Sequence, residues 1–129
     1  MKWVTWQHVM VDRMACAWLI KRQIDPQAEF IFIRPGAQPL PEGAEAFDIP
    51  GTRFSHHRGH CSFYAFLKEY QIKDPVLQQI ARIVNCKEGE LKEGDEVKLV
   101  IYPVASHPMD VKKDTKICER VYYAFERAK

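Results

Sequence analysis

The first 34 residues constrain the fold most. "KWVTW" (2–6) is rich in aromatic and β-branched side chains and predicts a strand. From Val11 the period changes. Val11, Met14, Ala15 and Trp18 fall at i, i+3, i+4 and i+7, which predicts an amphipathic helix ending near Ile24, ahead of Asp25-Pro26. "EFIFIR" (29–34) is a short, almost wholly apolar run stopped by Pro35-Gly36, the pattern of a strand buried on both faces. Strand, helix, strand in so short a span is a βαβ unit, and its two strands are expected to run parallel.

Further along, a Pro/Gly-rich loop (35–44) precedes "EAFDIP" (45–50), a brief strand, and "TRFSH" (52–56), a second candidate. Ser62 has the chemistry of a helix N-cap, followed by Phe63, Phe66, Leu67 and Tyr70 on one face. "KDPVLQQIARIVNC" is the clearest helix start. Asp74 caps it, Pro75 takes the first helical position, and Val76, Leu77, Ile80, Ala81 and Val84 face the core. "VKLVIYP" (97–103) fits either a strand or a helix, and 115–128 reads as a closing helix with Ile117, Val121, Tyr122 and Phe125 inward. The expected fold is α/β: a small, mainly parallel sheet with flanking helices and a helical C-terminal half, in one domain over 1–129.

A chain of 129 residues can bury about two-thirds of its unfolded surface and needs neither disulfides nor a structural metal to fold. Cys16, Cys61, Cys86 and Cys118 are scattered without a C-x-x-C pair, which argues against a disulfide framework. The net charge of +2 is too mild to point to nucleic acid. "MKWVTWQHVMVDR" has polar residues where a signal peptide needs an apolar stretch, and no run approaches the ~18 apolar residues of a membrane span. A cytoplasmic protein with reduced thiols is the expectation. A homo-oligomer is compatible with the sequence, which does not specify the oligomeric state.

Three segments hold residues with chemical potential. His8 follows the first strand and Asp12 opens the first helix, at the strand end where parallel α/β sheets place their sites. An imidazole and a carboxylate meeting there could share a divalent ion, while the plainer reading makes Asp12 a helix cap and His8 a loop residue. Asp48, at a strand end before a Pro-Gly turn, is either a third ligand or a turn-forming aspartate. "SHHRGHC" (55–61) adds His56, His57, Arg58, His60 and Cys61. Neighbours on an extended chain point opposite ways, so one of His56 and His57 could face a metal or anion while the other packs. Arg58 supplies a fixed cation for an oxyanion. Cys61, at a helix start, would feel dipole and cations that favour thiolate, but the first reading is an inert core thiol, ahead of a metal ligand or second-layer residue and then a nucleophile. Cys16, Cys86 and Cys118 read as core, His60 as a bystander and His107 as structural.

"VDRMACAWLIKRQIDPQAEFIFI" (11–33) and "FDIPGTRFSHHRGHCSFYAFLKEY" (47–70) resemble the C-terminal domain of the chromate-resistance protein B family, and "DVKKDTKICERVYYAFERA" is compatible with its final helices. The resemblance implies a role in chromate resistance or chromate-responsive regulation. Tyr64 stands where the family pattern often carries an acid, and 88–112 matches poorly. A second resemblance, of pattern only, is to DHH-type metal-dependent phosphoesterases. There an early His and Asp, a strand-end Asp and a paired His-His would correspond to His8, Asp12, Asp48 and His56-His57, with Ser55 in place of the usual Asp.

The leading expectation is thus a divalent-metal site (manganese, iron or zinc) built from His8, Asp12, Asp48, His56 and His57. In its catalytic form it is a hydrolase, with Arg13 or Arg58 steadying a small anionic substrate. The alternatives are a non-catalytic chromate or oxyanion sensor using Arg13, His56, His57 and Arg58, and redox chemistry at Cys61.

Overall fold

A computed structural model describes residues 1–7, 11–85 and Glu119. The elements are β1 (Lys2–Trp6), α1 (Val11–Leu19), β2 (Glu29–Ile33), β3 (Ala44–Ala46), α2 (Ser62–Glu69) and α3 (Pro75–Val84). α1 runs on through a π-helical turn, Ile20–Ile24, closed where the Asp25 amide donates to the Ile20 carbonyl at 2.7 Å. The sheet has the order β2-β1-β3 and both pairings are parallel, with Val4 opposite Ile31 on one side and Ala46 on the other. The α/β architecture and the leading βαβ unit are therefore as the sequence predicts.

One expectation is reversed. The apolar run of β2 predicts a strand buried on both faces, yet its side chains from Phe30 to Ile33 are only half-buried. The central position belongs to β1, where Trp3, Val4 and Thr5 are all buried. β2 is apolar because each of its faces contributes to a different cluster. Phe30 and Phe32 pack on the helix side with Trp3, while Ile31 and Ile33 join Val4, Ala46 and Ile49 on the other.

The second segment read as a strand, 52–56, makes a single parallel bridge, Phe47 to Phe54, and is otherwise turn. The left-handed backbone at Asp48 (φ 53°) and Gly51 (φ 83°) folds the chain back too sharply for a ladder to form. The cap of α2 also moves by one residue. Cys61 occupies the extended cap position and Ser62 is the first helical residue, so the Ser62 hydroxyl is free for another partner. Tyr70, expected inward, sits just past the helix end and is 43% exposed, against Phe54. α3 starts as expected, with Asp74 Oδ1 accepting from the Val76 amide at 2.8 Å and Pro75 next to it. Val76, Leu77, Ile80 and Ala81 are buried, and Val84 is half-buried against them.

The core is an aromatic stack between sheet and helices. Phe66 of α2 lies parallel to Phe54 at 4.1 Å and meets Trp3 and Phe47 edge-on or tilted at 5.9 and 6.3 Å. α1 is buried all round, from Asp12 to Leu19, because α2 and α3 cover the side that the sheet does not. At its C-terminal end Trp18 stacks on Phe63, and the Trp18 indole and Arg22 both donate to Glu119. The readings for 97–103, the remainder of the closing helix, Cys86, His107 and Cys118 lie outside the described residues, as does His8. No helix among the described residues is long and apolar enough to cross a membrane.

Phe66→Ala should destabilise the fold by about 3–5 kcal/mol in urea denaturation, since it empties the middle of the stack. Tyr70→Ala, at the rim, should cost about 1 kcal/mol or less. Equal losses at the two positions would contradict this placement of the core.

Candidate metal-binding site

The site is built where α1, the β3–α2 connection and the start of α2 converge. Asp12 stands in the first turn of α1, but it does not cap that helix. Its Oδ2 accepts from the Ser62 amide at 2.7 Å and its Oδ1 from the Phe63 amide at 2.9 Å. These are amides of the first turn of α2, which no intrahelical carbonyl can satisfy. The Cys16 thiol, one turn along α1, donates to Asp12 Oδ1 at 3.5 Å. The plainer reading of Asp12 as a cap thus holds in substance, with the wrong helix.

Asp48 is held by two residues, Ser62 and Arg13. The Ser62 hydroxyl donates to its Oδ1 at 2.7 Å, Arg13 Nη2 lies 3.2 Å from its Oδ2, and Arg13 Nη2 also donates to its carbonyl at 2.9 Å. Arg13 is itself buried and its Nε donates to Thr5 Oγ1 at 2.8 Å, so β1 fixes the guanidinium. Asp is among the few non-glycine residues that tolerate the left-handed backbone found here. His56, 64% exposed, completes the group, with Nδ1 3.6 Å from Asp12 Oδ2 and 3.9 Å from Asp48 Oδ1. One donor atom from each of Asp12, Asp48 and His56 falls within 4.8 Å of the other two. They open on a cleft of about 490 Å³ that Trp6, Val11, Pro50 and Val84 help to wall.

Burial pushes the Asp48 carboxyl up to about 6, helped by the nearby Asp12 charge. Arg13, the Ser62 hydroxyl and His56 offset only part of that rise. A raised acid stabilises the fold while it stays protonated. Its contribution is complete below about pH 4 and is lost as pH rises through about 6.

The remaining predicted residues lie elsewhere. His57 is turned away from the carboxylates, its Nε2 3.1 Å from the Arg53 carbonyl and 3.3 Å from Ser55 Oγ. Arg58 lines a separate cleft with His57. Arg13 faces the first cleft, where its described contacts hold Asp48 and Thr5. His60 stacks on Tyr64 at 4.4 Å.

The chain matches the family described as ChrB, C-terminal domain, over residues 3–128. It belongs to that family. Among curated proteins it is 38% identical, over 85 residues, to Protein ChrB of Cupriavidus metallidurans. That alignment covers 65% of this chain and 26% of the relative, so the chain spans about a quarter of the relative's length. No solved structure matches it. The two segments that carry the family resemblance, 11–33 and 47–70, are the two that meet at this site, since Asp12 and Arg13 come from the first and Asp48, His56 and Ser62 from the second.

For this ChrB-family chain the structure fits the inert core thiol among the readings of Cys61, and not the thiolate. The residue is fully buried and its thiol faces the Ala81 carbonyl at 3.7 Å. Burial and the Asp12 charge push the thiol up to about 12, against a smaller opposite pull from amides at the start of α2. Two residues that position the site were missing from the sequence reading. Ser62 was taken for a backbone cap, and Thr5 was one more β-branched strand residue. Inward alternation in β1 was the only signal that Thr5 is buried, and nothing in the sequence pairs it with Arg13.

Two measurements check this electrostatic account. The Asp48 carboxyl carbon, followed by NMR, should titrate with a midpoint near 6, and a midpoint near 4 would contradict the burial argument. Cys61 should react with a neutral-pH thiol reagent only as fast as the chain unfolds. Rapid labelling of the native protein would contradict the assignment.

Proposed function

We propose that Asp12, Asp48 and His56 form a divalent-cation site, and that the chain serves chromate resistance or response as a metal-binding domain. The observation that carries this reading is the convergence of two buried carboxylates and one imidazole on a single point, within 4.8 Å. Donors bonded to one ion at ~2.1 Å stand roughly 3 to 4.2 Å apart. The 3.6 and 3.9 Å separations from His56 Nδ1 fall in that range. Asp12, Asp48 and Arg13 together leave one net negative charge in a buried place, which a cation would satisfy.

Mixed carboxylate and imidazole donors suit manganese, iron or zinc better than calcium, which prefers more oxygens. A bound ion would supply Lewis acidity and a water acidified toward neutrality, the chemistry of hydrolysing an anionic substrate. The chain's own residues prepare the ligands. The α2 amides orient Asp12, Ser62 and Arg13 orient Asp48, and Thr5 holds Arg13, an outer layer of the kind that tunes metal affinity. Arg13 acts here as a positioning residue. Direct binding of an oxyanion at the same point is the weaker reading, because the anion would meet two carboxylates and the Arg13 guanidinium there is already engaged with Asp48.

The test is elemental analysis of protein purified without chelator, with thermal unfolding in added Mn²⁺ or Zn²⁺. The stoichiometry should approach one ion per chain, with stabilisation of about 2.7 kcal/mol at a hundred times Kd. His56→Ala, a substitution at an exposed residue, should keep the fold and weaken the metal at least about tenfold. Affinity should rise between pH 5 and 7 as Asp48 gives up its proton. No stoichiometric metal and a melting temperature indifferent to it would overturn the proposal.

A further inference from the structure

His56 and His57 serve different clefts. His56 lines the one with the carboxylates, while His57 lines a second, of about 330 Å³, and Ser55 borders both. The second cleft differs in chemistry. Its lining includes the cations Arg53, Arg58 and Lys68 and one described carboxylate, Glu69. Arg53 is paired with Glu69 and also reaches Glu45, so that acid is already neutralised. Arg58 and Lys68 have no ion pair among the described residues. The charge left over is positive.

One side of this cleft carries a stacked aromatic pair whose exposed member is His60. His60 and Tyr64 stack with centroids 4.4 Å apart and planes 24° apart, next to Cys61 and Ala65. The amides at the start of α2 belong to Asp12, so an anion here must be held by side chains.

The backbone under Arg58 is strained. The His57 and His60 amides and carbonyls bond reciprocally, at 3.1 and 2.9 Å, around a turn whose central residues are both left-handed, Arg58 at φ 50° and Gly59 at φ 80°. Glycine or asparagine ordinarily takes the first of these positions, and a long side chain there costs roughly 1 kcal/mol. Strain of this kind persists where the structure around it uses the residue, and here Arg58 borders the cleft.

We propose that this cleft binds a planar aromatic molecule carrying a phosphate or carboxylate group. The ring stacks on the exposed His60, which Tyr64 backs, and the anionic group is held by Arg58 and Lys68. Aromatic stacking supplies the shape preference, and charge-assisted hydrogen bonds from the guanidinium supply the orientation. This site shares no ligand with the carboxylate cluster and does not depend on a metal there.

The test is an NMR titration of the full chain, in chelator, with phenyl phosphate, phenol and inorganic phosphate. Phenyl phosphate should give saturable shifts at Arg58, His60 and Tyr64, with phenol and inorganic phosphate each at least about tenfold weaker. Arg58→Gly should melt no lower than the native chain, because glycine relieves the turn, and should bind phenyl phosphate about tenfold more weakly. Should that variant not fold, Lys68→Gln on the exposed side of α2 takes its place, with the same expected loss. Tyr64→Leu should erase the preference for phenyl phosphate over inorganic phosphate. Shifts that do not saturate, shifts confined to His56 and Asp48, equal binding of inorganic phosphate, or undiminished affinity in the folded cation variant would each overturn the proposal.

Discussion

The structure depends on one carboxylate crossing between two helices. Asp12 sits in α1, yet its two oxygens take the Ser62 and Phe63 amides at the start of α2, fifty residues away in sequence. A buried helix start must find acceptors, and a charged acceptor at that end also meets the positive end of the helix dipole. Because α2 is capped from outside, Cys61 at its cap position makes no capping bond of its own and can sink into the core. Because the cap is a buried charge, everything around it must keep electrostatic account. That is why Arg13 is buried beside it and why Asp48 is reluctant to ionise.

This arrangement joins stability to chemistry. The bonds that tie α2 to α1 also fix two carboxylates at the mouth of a cleft, and the bond from Ser62 fixes one of them a second time. An ion pair in such a place is a poor source of net stability, since desolvation offsets most of the attraction. Its value is geometric: it keeps the two carboxylates in place at the cleft. His56 is the exposed member of the group and the one that can swing without loosening the core.

Much of the scaffold was legible from local pattern. The βαβ unit was readable because aromatic and β-branched clustering in 2–6, the 3.6 period of 11–18 and the apolar run at 29–33 agree with one another. α3 announced itself through Asp74 and Pro75. The errors came where tertiary context decides. β2 looked central because an edge strand feeding two clusters is as apolar as a buried one. Ser62 looked like a cap because its chemistry suits one, but Asp12 had already taken the amides. For the candidate site, sequence order put forward Asp12, Asp48 and the histidine pair, and the fold brings Asp12, Asp48 and His56 together. It could not say which histidine turns toward the carboxylates; in the fold it is His56, while His57 Nε2 lies by the Arg53 carbonyl. Nor could it place Arg58, which lines the other cleft. For Cys61 local pattern left an inert thiol, a metal ligand and a thiolate side by side, since its helix-start position says nothing of the burial and the Asp12 charge that hold it protonated.

The central claim is that α1, the β3–α2 connection and the start of α2 were brought together to hold a cation. Anomalous diffraction from crystals grown with Mn²⁺ tests it most directly. The account predicts one strong peak within bonding distance of Asp12 Oδ2, Asp48 Oδ1 and His56 Nδ1, absent from crystals of His56→Ala. A well-ordered site with no peak, and with Arg13 and His56 alone neutralising the two carboxylates, would contradict it.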